Sequence, residues 1–235
     1  MSEMKDFVYQ TARTLPVILL LDTSGSMFEN NKIGAMNHAV RDMLTSFKHY
    51  SSSVASISVA IITFGGASAN VHLPMTAIDE LDLSAFQDME ARGMTPMGEA
   101  ISIAKSIIEN KEQIPSRAYR PTVVLVSDGI PNDRWEEPLE EFKHDGRSAK
   151  CYRMAMGIRV DRGSDAYNVL KNFTSDEEQV FDASDATEIS KFFRYVTMST
   201  TARIKTANPN LVPSMEEVFA SPQVDSNEID DDFPF

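Results

Sequence analysis

The chain has 235 residues, 42% of them hydrophobic, enough to bury the core of one domain, which excludes disorder throughout. Its 35 acidic and 22 basic side chains leave a net charge of −13, which argues against direct binding of nucleic acid or an anionic membrane and for a basic or cationic partner. The single cysteine, Cys151, excludes an internal disulfide, and no apolar run approaches the ~20 residues that span a bilayer, so a cytoplasmic protein without a membrane span or export signal is expected.

In chain order, an apolar run over 16–21 reads as a buried strand. Ile33, Met36, Val40, Met43, Leu44 and Phe47 then recur at helical spacing. A second buried strand is read over 57–62, and 71–75 follows it across Gly65, Gly66 and a few small residues. That is hairpin spacing, so 71–75 is placed antiparallel at an edge. Met97, Ile101, Ala104, Ile107 and Ile108 form another helical stripe, 122–126 another strand, and Trp135, Leu139 and Phe142 a weaker stripe. A strand over 151–158 and a stripe of Ile189, Phe192, Phe193 and Val196 complete the pattern. Strands alternating with helices predict an α/β fold: a doubly wound, mostly parallel sheet with one antiparallel edge strand and helices on both faces. Past residue 205 the composition changes. Residues 206–235 hold seven acids, no Lys or Arg, and Pro209, Pro213 and Pro222. A domain over 1–205 and an acidic, disordered tail over 206–235 are therefore expected, with Met215, Val218 and Phe219 able to form a short docking turn.

Three segments carry candidate chemistry. The first strand ends in Asp22-Thr23-Ser24-Gly25-Ser26, and ligands of open α/β sheets gather outside the carboxyl ends of strands. One carboxylate and two short hydroxyls are hard oxygen donors suited to Mg²⁺, Mn²⁺ or Ca²⁺, and Gly25 allows the tight fold that brings them together. In Gly93-Met94-Thr95-Pro96-Met97-Gly98, Pro96 suits the first helical position, which puts Thr95 at the N-cap. The third segment, Asp128-Gly129-Ile130-Pro131-Asn132-Asp133, is a strand-end acid followed by turn formers. Each segment alone is equally a capping or turn sequence. Together they matter more, because the strands ending in Asp22 and Asp128 would flank the switch point of the sheet.

Asp22, Ser24 and Ser26 in D-x-S-x-S, then Thr95, then Asp128 in Ser-Asp-Gly, resemble in order and approximate spacing the metal-ion-dependent adhesion site (MIDAS) of von Willebrand factor A-type (VWA) domains. The resemblance runs from about Leu15 to Thr201. It implies a VWA, Rossmann-like fold in which Ser24, Ser26 and Thr95 offer hydroxyl oxygens to one divalent cation, Mg²⁺ or else Mn²⁺ or Ca²⁺, while Asp22 and Asp128 act mostly through metal-bound water. Hydroxyl ligands leave the ion under-neutralised, so its open position favours an Asp or Glu carboxylate from a protein partner. Arg13-Thr14-Leu15-Pro16-Val17-Ile18 before the site, and Lys191-Phe192-Phe193-Arg194-Tyr195-Val196-Thr197 in the last helix, resemble bacterial TerY-type proteins of tellurium resistance. That resemblance implies a setting beside a protein kinase and a PP2C-type phosphatase in stress or phage-defence systems.

The residues favour a binding module over an enzyme. A phosphotransferase using Asp22 is the alternative, because haloacid-dehalogenase-type enzymes, by resemblance, place a nucleophile at a strand-end Asp; those need a second acid two residues on, where Ser24 stands. No phosphate-binding G-x-x-x-x-G-K-[ST] occurs, and His38, His49, His72 and His144 fit no hydrolytic motif. Met27 and Trp135 read as core-facing rather than as anchors on the site rim. The last residues, Asp230-Asp231-Asp232-Phe233-Pro234-Phe235, resemble the acidic tip of bacterial single-stranded DNA-binding proteins. The resemblance implies that Phe233, Pro234 and Phe235 bind a pocket on a DNA-maintenance protein; a solubilising tail, or a tail that blocks its own metal site, are the other readings.

Overall fold

Along the first strand, β1 (Arg13–Asp22), successive side chains point to opposite faces, and both sets are apolar. Leu15, Val17, Leu19 and Leu21 join one core cluster and Ile18 and Leu20 the other. Such a strand is stable only at the centre of a covered sheet, and there it lies. The computed structural model describes residues 13–50, 55–175, 180–206, 208 and 210–220. Among them, β1, β2 (Ala55–Gly65), β3 (Ser68–Ala77), β4 (Thr122–Ser127), β5 (Tyr152–Ile158) and β6 (Val180–Ala183) form one sheet in the order β3-β2-β1-β4-β5-β6. Only the β2–β3 pair is antiparallel, and β3 is the edge, as the hairpin spacing predicts.

The helices α1 (Lys32–His49) and α5 (Ala186–Lys205) cover one face. On the other lie α2 (Met97–Glu109), α3 (Glu136–His144) and α4 (Asp165–Phe173). The helical stripes read from the sequence are the buried faces of α1, α2, α3 and α5. Two elements were not anticipated. They are the four-residue β6, too short for periodicity to mark, and α4, opened by Ser164 accepting from the Tyr167 N–H at 3.2 Å, whose buried stripe of Ala166, Val169, Leu170 and Phe173 the sequence reading missed. Past Thr206, α6 (Met215–Ala220) places Val218 in the core beside α5, and the Tyr195 hydroxyl donates to the Pro213 carbonyl at 3.2 Å. The side chains of Met215 and Phe219, and all of 221–235 with Phe233, Pro234 and Phe235, lie outside the described residues.

Candidate metal centre

β1 and β4 are parallel neighbours, with Leu21 opposite Val126. From them the chain winds outward to β2 on one side and β5 on the other, so their carboxyl ends border the switch-point crevice. Asp22 is the last residue of β1 and Asp128 the first after β4.

The Asp22 side chain is wholly buried. One of its oxygens accepts the Ser24 N–H at 2.8 Å and the other the Ser127 hydroxyl at 2.6 Å. Burial pushes its carboxyl up to about 6 although both serines favour the charged form, and the charge of Asp128 adds to the rise. A relay of oxygens continues outward: Ser24 Oγ lies 3.0 Å from Ser26 Oγ, and the Ser26 hydroxyl donates to Asp128 Oδ1 at 2.7 Å. The other Asp128 oxygen accepts the Lys32 ammonium at 2.6 Å. The Asp128 carboxylate thus faces one fixed cation, and Ser24 Oγ, Ser26 Oγ and Asp128 Oδ1 are hard donors linked in series by contact. That donor set fits a small divalent ion of the Mg²⁺, Mn²⁺ or Ca²⁺ type. Among the described residues no group of three or more His, Cys, Asp or Glu side chains converges, so the candidate set depends on its hydroxyls.

The loop that carries Thr95 is tied to the first and third loops by hydrogen bonds on both sides. The Gly25 N–H donates to the Gly93 carbonyl at 2.9 Å, which ties the first loop to the second. Gly93 in turn packs on the β2–β3 hairpin: Gly66 N–H donates to Arg92 O at 2.6 Å and Met94 N–H to Gly66 O at 3.1 Å. Gly66 and Gly93 both have left-handed φ, +78° and +62°, and a Cβ on Gly93 would lie 2.5 Å from Gly66 Cα. Across the site, Thr95 N–H donates to Asn132 Oδ1 at 2.7 Å and Asn132 N–H to Thr95 O at 3.2 Å, joining the second loop to the third.

One local expectation is corrected. Thr95 is not the N-cap of α2, which begins at Met97 after Pro96 and has no cap from its own flank. The free N–H groups of Gly98 and Glu99 are instead taken by the Asp133 carboxylate at 3.0 and 2.9 Å. Thr95 is thereby released from a capping duty that would hold its hydroxyl against the helix. Sequence reading missed Lys32, Ser127, Asn132 and Asp133 as parts of the site. Of these, Asn132 and Asp133 stand in the turn already singled out, whereas nothing local marks Lys32.

Around the three loops, Phe28, Met94 and Ile130 are 77%, 56% and 58% exposed. Each lies within two residues of a candidate ligand, so each loop contributes one apolar side chain to the rim. Met27 is buried in the core and Trp135 is half-buried against it, as expected. His38, His49 and His144 are exposed and His72 Nε2 donates to the Gln87 carbonyl at 2.9 Å; none enters the relay.

The family model for the von Willebrand factor type A domain matches residues 17–130. An uncharacterized protein of Mycobacterium tuberculosis is 29% identical over 113 residues, 48% of this chain and 17% of its own. Among solved structures, the pilus adhesin SpaC of Lactobacillus rhamnosus GG superposes with a TM-score of 0.64 at 15% identity, over 80% of this chain and 30% of the adhesin. Proximal thread matrix protein 1 of the mussel byssus, with a zinc-occupied MIDAS motif, gives a TM-score of 0.58 at 20% identity, over 81% and 46%. The chain therefore spans about a sixth of the curated relative and under half of these two structures. At those identities the structures speak for the fold alone. Family model and fold together support a von Willebrand factor type A domain in this chain.

Proposed function

We propose that this chain is a metal-dependent protein-binding module, in which Asp22, Ser24, Ser26, Thr95 and Asp128 hold one Mg²⁺, or else Mn²⁺ or Ca²⁺, and the ion accepts a carboxylate from a protein partner. The observation that carries this is the Ser24–Ser26–Asp128 oxygen relay at the sheet's switch point, with 3.0 and 2.7 Å contacts. The exposed Phe28, Met94 and Ile130 support the partner half of the reading. Apolar side chains around a charged centre exclude water from its rim and strengthen the central contact. The mussel protein with zinc in its MIDAS motif supports divalent-ion binding by this fold.

The module acts by binding, without catalysis of its own, in the cytoplasm, as the body 1–205 followed by an acidic tail over 206–235. The resemblance of residues 13–18 and 191–197 to TerY-type proteins supports a setting beside a protein kinase and a PP2C-type phosphatase in stress or phage defence. The tip Phe233-Pro234-Phe235 docks in trans into a pocket of a DNA-maintenance protein. Among the described residues no helix is long and apolar enough to cross a membrane.

The test is a thermal scan in millimolar Mg²⁺ or Mn²⁺ against chelator. The ion should raise the melting temperature by mass action, and Asp22→Ala should abolish the rise. An equal rise in the Ser24→Ala, Ser26→Ala double variant would remove the metal centre from the proposal.

A further inference from the structure

Lys32 is an improbable residue where it stands. It opens α1, at the positive end of the helix dipole, with no acid in the first turn to offset it. Its side chain is only 10% exposed, and its ammonium sits 2.6 Å from Asp128 Oδ2 and 3.3 Å from the Ser26 carbonyl. The Asp128 side chain is 0% exposed, so this is a buried ion pair, not a surface one. The backbone is bent to deliver it: Asn30 and Asn31, just before the helix, have left-handed φ of 54° and 55°, a conformation Asn tolerates better than most residues. A cation held at the wrong end of a helix and out of water needs a strong local anion. Asp128, a candidate ligand of the metal, is that anion.

We infer that Lys32 is a tethered competitor for the metal centre: its ammonium neutralises Asp128 when the ion is absent and is expelled when the ion binds. The inference rests on the metal reading proposed above. Two carboxylates, Asp22 and Asp128, cannot balance a divalent ion and an ammonium in one buried site without repulsion between the cations. Lys32 also has somewhere to go. The small cavity beside it, of about 20 Å³ and lined by Asn30, Ala35, Ile158, Ser184 and Asp185, is too small for the whole side chain, so displacement carries the ammonium outward past the Asn30–Asn31 turn to solvent. The consequence is a site that stays folded without metal and binds it more weakly than its oxygen donors alone would allow. Loading is then strengthened by a partner carboxylate arriving with the ion, because that carboxylate supplies the negative charge that Lys32 otherwise offsets.

Two measurements on the full chain test this. In the first, MnCl₂ and MgCl₂ are titrated calorimetrically into wild type and Lys32→Met, which keeps the length of the side chain and removes its charge. The variant should bind roughly tenfold tighter or more, the factor expected for removing one competing charge-assisted bond. Lys32→Gln, which leaves Asp128 an amide donor, carries the same expectation should Lys32→Met fail to fold. In the second, wild type is pulse-acetylated with acetic anhydride and modification at Lys32 is read by mass spectrometry. It should be slow in chelator and several-fold faster in saturating Mn²⁺. Equal or weaker binding by the neutral variants, or Lys32 equally protected with the ion bound, overturns the inference while leaving the metal centre standing. No binding in wild type or in either variant overturns the metal reading and this inference with it.

Discussion

Asp133 caps a helix to which it does not belong: its carboxylate accepts the Gly98 N–H at 3.0 Å, from the third loop to the first turn of α2. With Asn132 bonded to Thr95 in the same way, two consecutive side chains join the second and third loops of the candidate metal centre. Asp133→Ala should therefore lower stability by ~1–2 kcal/mol, the usual loss for a cap, and also weaken Mn²⁺ binding by letting Thr95 drift. Denaturant unfolding and calorimetric titration of the same variant check both. An ordinary cap defect would show the first effect without the second.

Asp22 makes the centre sensitive to pH. Its carboxyl, pushed up to about 6 by burial, holds its proton in the folded chain after the unfolded chain, near 3.8, has released it. The folded state then carries more protons between pH 4 and 6, so the Asp22 contribution lowers stability as pH rises through that window, by on the order of 3 kcal/mol in all. On the proposed metal reading, a bound divalent ion would favour the charged carboxylate and reverse the penalty. Melting temperatures from pH 4.5 to 7.5, taken as wild type minus Asp22→Asn, should fall with rising pH in metal-free buffer and recover in Mn²⁺. A metal-induced shift as large at pH 4.5 as at 7.5 would count against Asp22 facing the ion.

Gly65 is the point where the hairpin meets the first loop. A Cβ there would lie 2.2 Å from the Thr23 carbonyl oxygen, which is backbone and accepts the Arg92 N–H at 2.8 Å. Gly65→Ala should destabilise the fold by ~1–3 kcal/mol, as overpacking does, and shift the Ser24 and Ser26 hydroxyls out of register. Chemical denaturation and the Mn²⁺ melting shift are the measurements. Unchanged values for both would mean that the loop yields without moving the site.

The tail makes a separate prediction. A labelled peptide of residues 226–235 should bind a DNA-maintenance enzyme that accepts the acidic tip of single-stranded DNA-binding proteins. Fluorescence anisotropy should show binding that weakens with salt, since three Asp carboxylates steer it, and that is lost without Phe235. Equal binding by the shortened peptide would leave nonspecific acidity only.

The mostly parallel sheet with helices on both faces, the antiparallel edge and the placing of Asp22 and Asp128 at the switch point were legible in the sequence. Each depends on local apolar runs and turn residues, and a strand buried on both faces has few other places to go in a small domain. The approach of Ser24, Ser26 and Asp128 follows from that topology, since parallel neighbours end at the same rim. What only the tertiary structure decided are contacts between segments far apart in the chain. Asp133 reads as a turn residue until α2 arrives with two unpaired N–H groups, and Gly65 and Gly93 read as flexible loops until their backbones are seen to touch the Thr23 carbonyl and Gly66. Lys32 shows the difference most plainly. By itself it is a solvated charge at the start of a helix; packing α1 against the sheet buries its stem and leaves Asp128 as the anion within reach, so its role is set by the geometry of burial and not by its neighbours in sequence.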